Sequence, residues 1–226
     1  MPGHPLIRYR VALLSAVSAV PATGATQFRV DLVPYAGLYL PTTTLMQGGV
    51  LKQKASPALG SRITVWLLGR VGIEGTMSYA PSNLTTTDAT DYYPRPHSAH
   101  LITRTAKLVV RVNPASDNTV FQAGGGVGRV GYRGAAYCGG AAPCDPYLRA
   151  DVMTFPSKIV TAGAAFRPRR SVALRVDAED YLFSASFSCR NRGHSPGVCF
   201  SGTPYTPKRQ NDLVVSLGVA LRVLGS

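Results

Sequence analysis

The sequence predicts an all-β fold: an eight-stranded antiparallel up-and-down transmembrane β-barrel, following a cleaved N-terminal signal peptide. Three observations predict it. Apolar and polar residues alternate at period two through most of the chain after residue 25. The connections between alternating stretches are long and short in strict turn. A short apolar run near the start has the length of an export signal and not of a membrane helix.

The leader is read first. Arg8 and Arg10 supply positive charge ahead of the apolar run VALLSAVSAV, and the small residues of PATGA offer cleavage after Ala25 or after Ala22. A short buried helix is the competing reading. Pro21 and Gly24, directly after the run, favour the leader. The expected division is therefore a signal peptide over 1–25 and a barrel domain over 26–226. No later stretch is long and apolar enough for a membrane helix, but transmembrane strands alternate and carry a weaker hydropathy signal.

The first strand sets Phe28, Val30, Leu32, Pro34, Ala36, Leu38 and Leu40 against Arg29, Asp31, Val33, Tyr35, Gly37 and Tyr39. The second, 58–67, sets Arg62 and Thr64 against Ile63, Val65 and Leu67. The third, 71–80, sets Gly72, Glu74, Thr76 and Ser78 against Val71, Ile73, Met77 and Tyr79. The fourth, 99–112, carries Lys107 and Arg111 opposite Ala106, Leu108, Val110 and Val112. The fifth, 118–133, is glycine-rich, and the sixth, 153–166, is alanine-rich. The seventh, 171–186, sets Arg175, Asp177, Glu179 and Tyr181 against Leu174, Val176, Ala178 and Leu182. The eighth is the clearest: Leu213, Val215, Leu217, Val219, Leu221 and Val223 alternate with Asp212, Val214, Ser216, Gly218, Ala220 and Arg222.

The links at 41–57, 81–98, 134–152 and 187–210 are long. Those at 68–70, 113–117 and 167–170 are short. In an up-and-down barrel all long links then gather at one end and all short turns at the other, the arrangement of outer-membrane barrels. With the first link long, both mature termini are expected in the periplasm. A soluble lipocalin-like barrel shares the leader and the strand count but inverts the faces, with an apolar interior. Here the mixed faces carry charges of both signs and the other faces few, Arg104, Arg129 and Asp180 being exceptions. That favours a polar interior and an apolar exterior.

Several stretches resemble the small outer-membrane β-barrel superfamily that includes outer membrane protein A-like and outer membrane protein W-like domains. They are VPYAGLYLP (33–41), LGSRITVWLLGRVGIEGTMSYAPS (59–82), AGGGVGRVGYRG (123–134), LRVDAEDYLFS (174–184) and DLVVSLGVALRV (212–223). Barrels of this kind usually end on an aromatic residue, where this chain reads Val223-Leu224-Gly225-Ser226. The resemblance implies a bacterial outer-membrane location, assembly by the barrel-assembly machinery, contact with outer-membrane lipid and a monomeric state.

The formal charge is +13, and loss of Arg8 and Arg10 with the leader makes it +11. Such an excess suits nucleic acid, or the phosphates of acidic lipid and lipopolysaccharide; export favours the second and no nucleic-acid partner is expected. Lys52, Lys54, Arg95, Arg149, Arg190, Arg192, Lys208 and Arg209 fall in the long links and are candidates for phosphate contacts. Cys138, Cys144, Cys189 and Cys199 are candidate disulfides, and the local pairings Cys138–Cys144 and Cys189–Cys199 are the most economical of three. Tyr79, Tyr92, Tyr93, Tyr137, Tyr181 and Phe183 are candidates for an interfacial aromatic girdle.

The inward charges form the most structured constellation: Arg29, Asp31, Arg62, Glu74, Lys107, Arg111, Arg175, Asp177, Glu179 and Arg222. An eight-stranded barrel is just wide enough to be filled by side chains, so these charges are expected to pair. Conduction or gating is the alternative. Gly126 to Gly131 matches G-x-G-x-x-G with Asp151 twenty residues on, but no amphipathic helix follows, so a glycine-rich strand is expected and no cofactor. Cys189, His194 and Cys199 lack zinc spacing, and no metal site is expected. His194-Ser195 has no acid placed to orient it, so no catalytic set is assigned. The expected function is a non-enzymatic structural or surface-interaction barrel. A narrow passive channel for small or hydrophobic solutes and a lipid A-modifying enzyme are the alternatives.

Overall fold

A computed structural model describes residues 28–43, 51–67, 69–86, 97–113, 118–133, 153–169, 171–185 and 208–224. The eight long strands are β1 (Arg29–Pro41), β3 (Ser56–Leu67), β4 (Val71–Ala80), β7 (His100–Arg111), β8 (Thr119–Arg133), β9 (Met153–Arg169), β10 (Val172–Ala185) and β11 (Lys208–Leu224). Each pairs antiparallel with its sequence neighbours, and β1 closes the ring on β11. Closure leaves no strand edge unpaired, which is what a sheet needs in hydrocarbon.

The faces follow from parity. Along β4, Gly72, Glu74, Thr76 and Ser78 are buried while Val71, Ile73, Met77 and Tyr79 are exposed. The same holds around the ring: Arg62, Glu74 and Glu179 are 0% exposed, whereas Ile73 is 55% and Leu217 58% exposed. Charge inside and leucine outside is the reverse of a water-soluble core.

Long and short links alternate as the sequence indicates, so the structure has a long-link end and a short-turn end. Between β3 and β4 the chain turns at Gly69 with φ of 70°, a backbone that glycine adopts without a Cβ clash.

Three differences from the sequence reading stand out. Arg167–Arg169 belong to β9 and not to a turn. Pairing skips between Val172 and Leu174, so that Arg167 and Pro168 together face Ala173; this bulge accommodates Pro168, which has no N–H to donate. The last strand begins at Lys208, so Lys208 and Arg209 lie in a strand and not in a loop. Three short strands, β2 (Leu51–Gln53), β5 (Asn83–Thr86) and β6 (His97–Ser98), form a second sheet within stretches read as loops. Two to four residues give too short a periodic signal, so these strands are not visible in the sequence.

The glycine-rich strand also has a more specific cause. Gly124, Gly126 and Gly128 sit in register with Val109, Lys107 and Thr105 of β7. A Cβ on Gly126 would meet the Ala106 carbonyl oxygen and the Lys107 Cα, and one on Gly124 the Leu108 carbonyl. The glycines answer to the close approach of the adjoining strand's backbone.

Candidate functional site

The barrel interior is stacked in layers. At the short-turn end, the Arg29 side chain donates from Nε to Asp31 Oδ1 at 2.6 Å, and Trp66 Nε1 donates to Asp31 Oδ2 at 2.9 Å. Arg111 lies over the Trp66 ring at 3.8 Å and donates to the Gly69 carbonyl at 2.6 Å. Arg222 is in register with Asp31 and half-buried, but the Asp31 carboxylate is taken by Arg29.

Midway up, six of the ten candidate charges converge. Parity turns Arg62 of β3, Glu74 of β4, Lys107 of β7 and Arg175, Asp177 and Glu179 of β10 into the middle of the interior. Arg62 Nε lies 2.9 Å from Glu179 Oε1, and its NH1 lies 3.4 Å from Asp177 Oδ2. Lys107 Nζ lies 2.9 Å from Glu74 Oε1 and also contacts Glu179. Arg175 reaches Glu74 at 2.6 Å and Asp177 at 2.8 Å. Three cations thus face three carboxylates, so the buried charge sums to zero. Removing water from an ion is costly unless the partner geometry is good and the other lone pairs are satisfied.

Neutral groups add to that shell. Thr64 donates to Glu74 at 2.7 Å, Tyr181 to Glu179 at 2.6 Å and Gln122 to Asp177 at 2.9 Å. Arg62 donates from NH2 to Ser216 at 2.8 Å and lies over the Tyr35 ring at 3.8 Å. The carboxylates are therefore committed to cations, hydroxyls and the Gln122 amide, and wholly enclosed. Chemically they act as cross-links between opposite walls and not as bases open to a substrate.

Toward the long-link end the interior becomes aromatic. Tyr39, Leu101, Tyr132, Ile159, Tyr181 and Phe183 are buried in one cluster, with Phe155 packed on it. Phe155 and Phe183 stack at 6.1 Å, and Tyr132 meets Phe155 edge-on at 6.1 Å. Asp212 accepts from Tyr39 at 2.8 Å and Tyr132 at 3.1 Å. The Tyr39 hydroxyl also lies 2.9 Å from Gln53 Oε1, so its one proton is shared between the two acceptors, and the Gln53 amide donates to the Ala99 carbonyl at 3.0 Å; the short β2 strand is thus tied to the barrel mouth.

Two girdle candidates are corrected here. Tyr181 is 0% and Phe183 6% exposed, both inside the lumen, because they share the parity of Asp177 and Glu179. Tyr79 does face outward, beside His100 with ring centroids 5.6 Å apart. The sequence reading passed over Trp66, Tyr39, Tyr132 and Asp212 as site residues, although Trp66, Tyr39 and Asp212 stand on charge-bearing faces of their strands; the face of Tyr132 carries no charge.

The candidate cysteines Cys138, Cys144, Cys189 and Cys199 lie outside the described residues. So do the leader 1–25, Tyr92, Tyr93, Tyr137, Arg95, Arg149, Asp151, Arg190, Arg192, His194 and Ser195. Gly126 and Gly128 of the G-x-G-x-x-G match sit mid-strand in β8, paired on both sides, and not in a strand-to-helix turn.

No family model matches the sequence, and no curated protein matches it. Solved structures do match the fold. The outer membrane protein OprG of Pseudomonas aeruginosa superposes with a TM-score of 0.58 at 9% identity, over 90% of this chain and 99% of that one. Neisserial surface protein A superposes with a TM-score of 0.50 at 10% identity, over 88% of this chain and 99% of its own. Closed eight-strand topology, inverted polarity and these two likenesses agree: the chain has the fold of the small outer-membrane β-barrels that its sequence motifs resemble.

Proposed function

We propose that the chain is a non-enzymatic barrel of a bacterial outer membrane. Its short turns and termini face the periplasm, and its long links meet the cell surface. One observation carries this reading: the interior is closed by ion pairs that run from wall to wall, while the exterior is a band of exposed leucine, isoleucine and valine. A barrel so built is a rigid holder for its loops. The Arg62–Glu179 and Arg175–Glu74 bridges cross the lumen and oppose passage of solute, so the channel alternative is ranked second.

The functional surface is then the long-link end, where exposed Lys54 and Arg209 and the loop cations Arg95, Arg149, Arg190 and Arg192 favour lipopolysaccharide phosphates. Local disulfides, Cys138–Cys144 and Cys189–Cys199, would stiffen two of these loops. The ten interior charges serve the fold, and the chain is read as a monomer.

Fractionation and gel mobility test the location. The protein is expected in the outer-membrane fraction and to migrate differently when unboiled; a soluble periplasmic protein without that shift overturns the reading. Planar-bilayer recording tests the plug. Absence of unitary conductance is expected, and steady conductance from the purified chain would move the channel to first place.

A further inference from the structure

The outer wall is not uniformly apolar. Arg104 of β7, Arg129 of β8 and Lys158 of β9 all face outward and are exposed. Arg104 and Arg129 stand directly opposite each other in the β7–β8 register. Pro156 of β9 opposes Arg129, and Lys158 opposes Val127, which makes Lys158 the diagonal neighbour of Arg129. Like charges directly across a ladder destabilise it. Among the described residues, no ion pair involves any of the three. Asp180, diagonal to Lys158 on β10, makes none with it.

Their height is shared and unusual. Each lies eight residues along its strand from an exposed apolar residue near the short-turn end: Val112, Phe121 and Phe166 respectively. At about 3.3 Å per residue and a tilt of about 40°, that is about 20 Å up an apolar band of about 25 Å. The same step on the other five strands reaches Leu40, Leu59, Tyr79, Leu182 and Leu213. The cations are thus confined to three adjacent strands at the level where hydrocarbon gives way to headgroups. Below them Val127 and Val160 continue the apolar wall, suited to acyl chains.

We propose that Arg104, Arg129 and Lys158 form a docking site for the phosphates of a diphosphorylated glycolipid of the outer leaflet. Two guanidinium forks and one ammonium, stacked across three strands, match two phosphates on a sugar headgroup. Phosphate between Arg104 and Arg129 removes the repulsion that the bare wall carries. The site rests on the membrane orientation proposed above and is separate from the loop cations.

The test uses the full chain folded in detergent micelles and titrated with diphosphoryl lipid A, with the same lipid lacking both phosphates, and with phosphatidylglycerol vesicles. The R104Q/R129Q/K158Q variant is expected to bind diphosphoryl lipid A about tenfold more weakly than the parent. The parent is expected to prefer diphosphoryl lipid A over the other two probes by a similar factor. An R70Q variant, changed at an exposed position of the short turn between β3 and β4, is expected to bind as the parent does. Undiminished affinity of the triple variant overturns the site, as does equal binding of the phosphate-free lipid or of phosphatidylglycerol. If the triple variant does not fold, R129Q and K158Q singly are read instead, each expected to lose about threefold, and no loss in either overturns the site. A parent that binds no lipid but fractionates with the outer membrane sinks the site alone; a soluble parent without heat-modifiability sinks the membrane reading as well.

Discussion

The Arg62 guanidinium meets the Glu179 carboxylate at 2.9 Å across the barrel interior, joining residues 117 positions apart in the chain. This contact exists only when β3 and β10 stand on opposite sides of a closed ring, so it reports closure itself. Lys107 also reaches Glu179, and Asp177 also reaches Arg62, which makes the six charges one coupled unit.

Glu74→Ala leaves Lys107 and Arg175 short of a carboxylate in a buried site. Breaking a buried pair from one side costs about 3–5 kcal/mol, because the remaining charge is uncompensated. Urea unfolding in vesicles should show a lower midpoint for E74A. The double variant E74M/K107M should be milder than either single change, since it removes a cation and an acid together. A midpoint for E74A equal to the parent's would contradict a coupled network.

Much of this unit was legible in the sequence, and its wiring was not. Period-two alternation is local, so it assigns Arg62, Glu74, Lys107, Arg175, Asp177 and Glu179 to one face of their strands from a few neighbours each. Which acid meets which cation depends on the stagger between strands far apart in the chain, and no local pattern encodes that. Tyr181 and Phe183 show the same limit from the other side. Position near a strand end suggested an outer girdle, yet parity with Glu179 puts them inside, and parity is the stronger constraint because a one-residue slip would expose Glu179 to lipid. Gln53 had no readable role: its hydrogen bonds to Tyr39 and Ala99 depend on how a three-residue strand docks at the barrel mouth.

Trp66 is the sole tryptophan, buried at 2% exposure against Arg111 and Asp31. Its emission should be blue-shifted in the folded barrel and move red on unfolding. R111A removes the cation covering the ring at the short-turn end, so acrylamide quenching should rise while heat-modifiability persists. Unchanged quenching in R111A would mean that the stack does not shield the indole.

Gly126→Ala and Gly75→Ala make a matched pair. A Cβ at Gly126 runs into the Ala106 carbonyl and the Lys107 Cα, which are backbone and cannot swing away. At Gly75 the nearest atom is the Thr105 carbonyl at 4.0 Å, so the added methyl has room. Overpacking of this kind costs about 1–3 kcal/mol. G126A should fold in lower yield and unfold at lower urea, and G75A should match the parent. Equal behaviour of the two variants would remove the steric account of the glycine-rich strand.

The outer face separates a membrane barrel from a soluble one more directly than the lumen does. Leu217 is 58% exposed near the middle of β11, between inward Ser216 and Gly218. Facing water, a leucine at such a position is replaced by arginine at little cost, since exposed surface changes usually stay within about 0.5 kcal/mol. Facing acyl chains near the midplane, the same L217R change costs about 2–4 kcal/mol, and the cost falls toward zero at the interfaces. Leu59, eight residues along β3 from Leu67, serves as the control near the upper edge of the band. In phospholipid vesicles L217R should unfold at clearly lower urea than the parent, while L59R should lie close to the parent. The depth dependence is the informative quantity: a destabilisation equal at both positions, or absent at both, is what a soluble barrel would give.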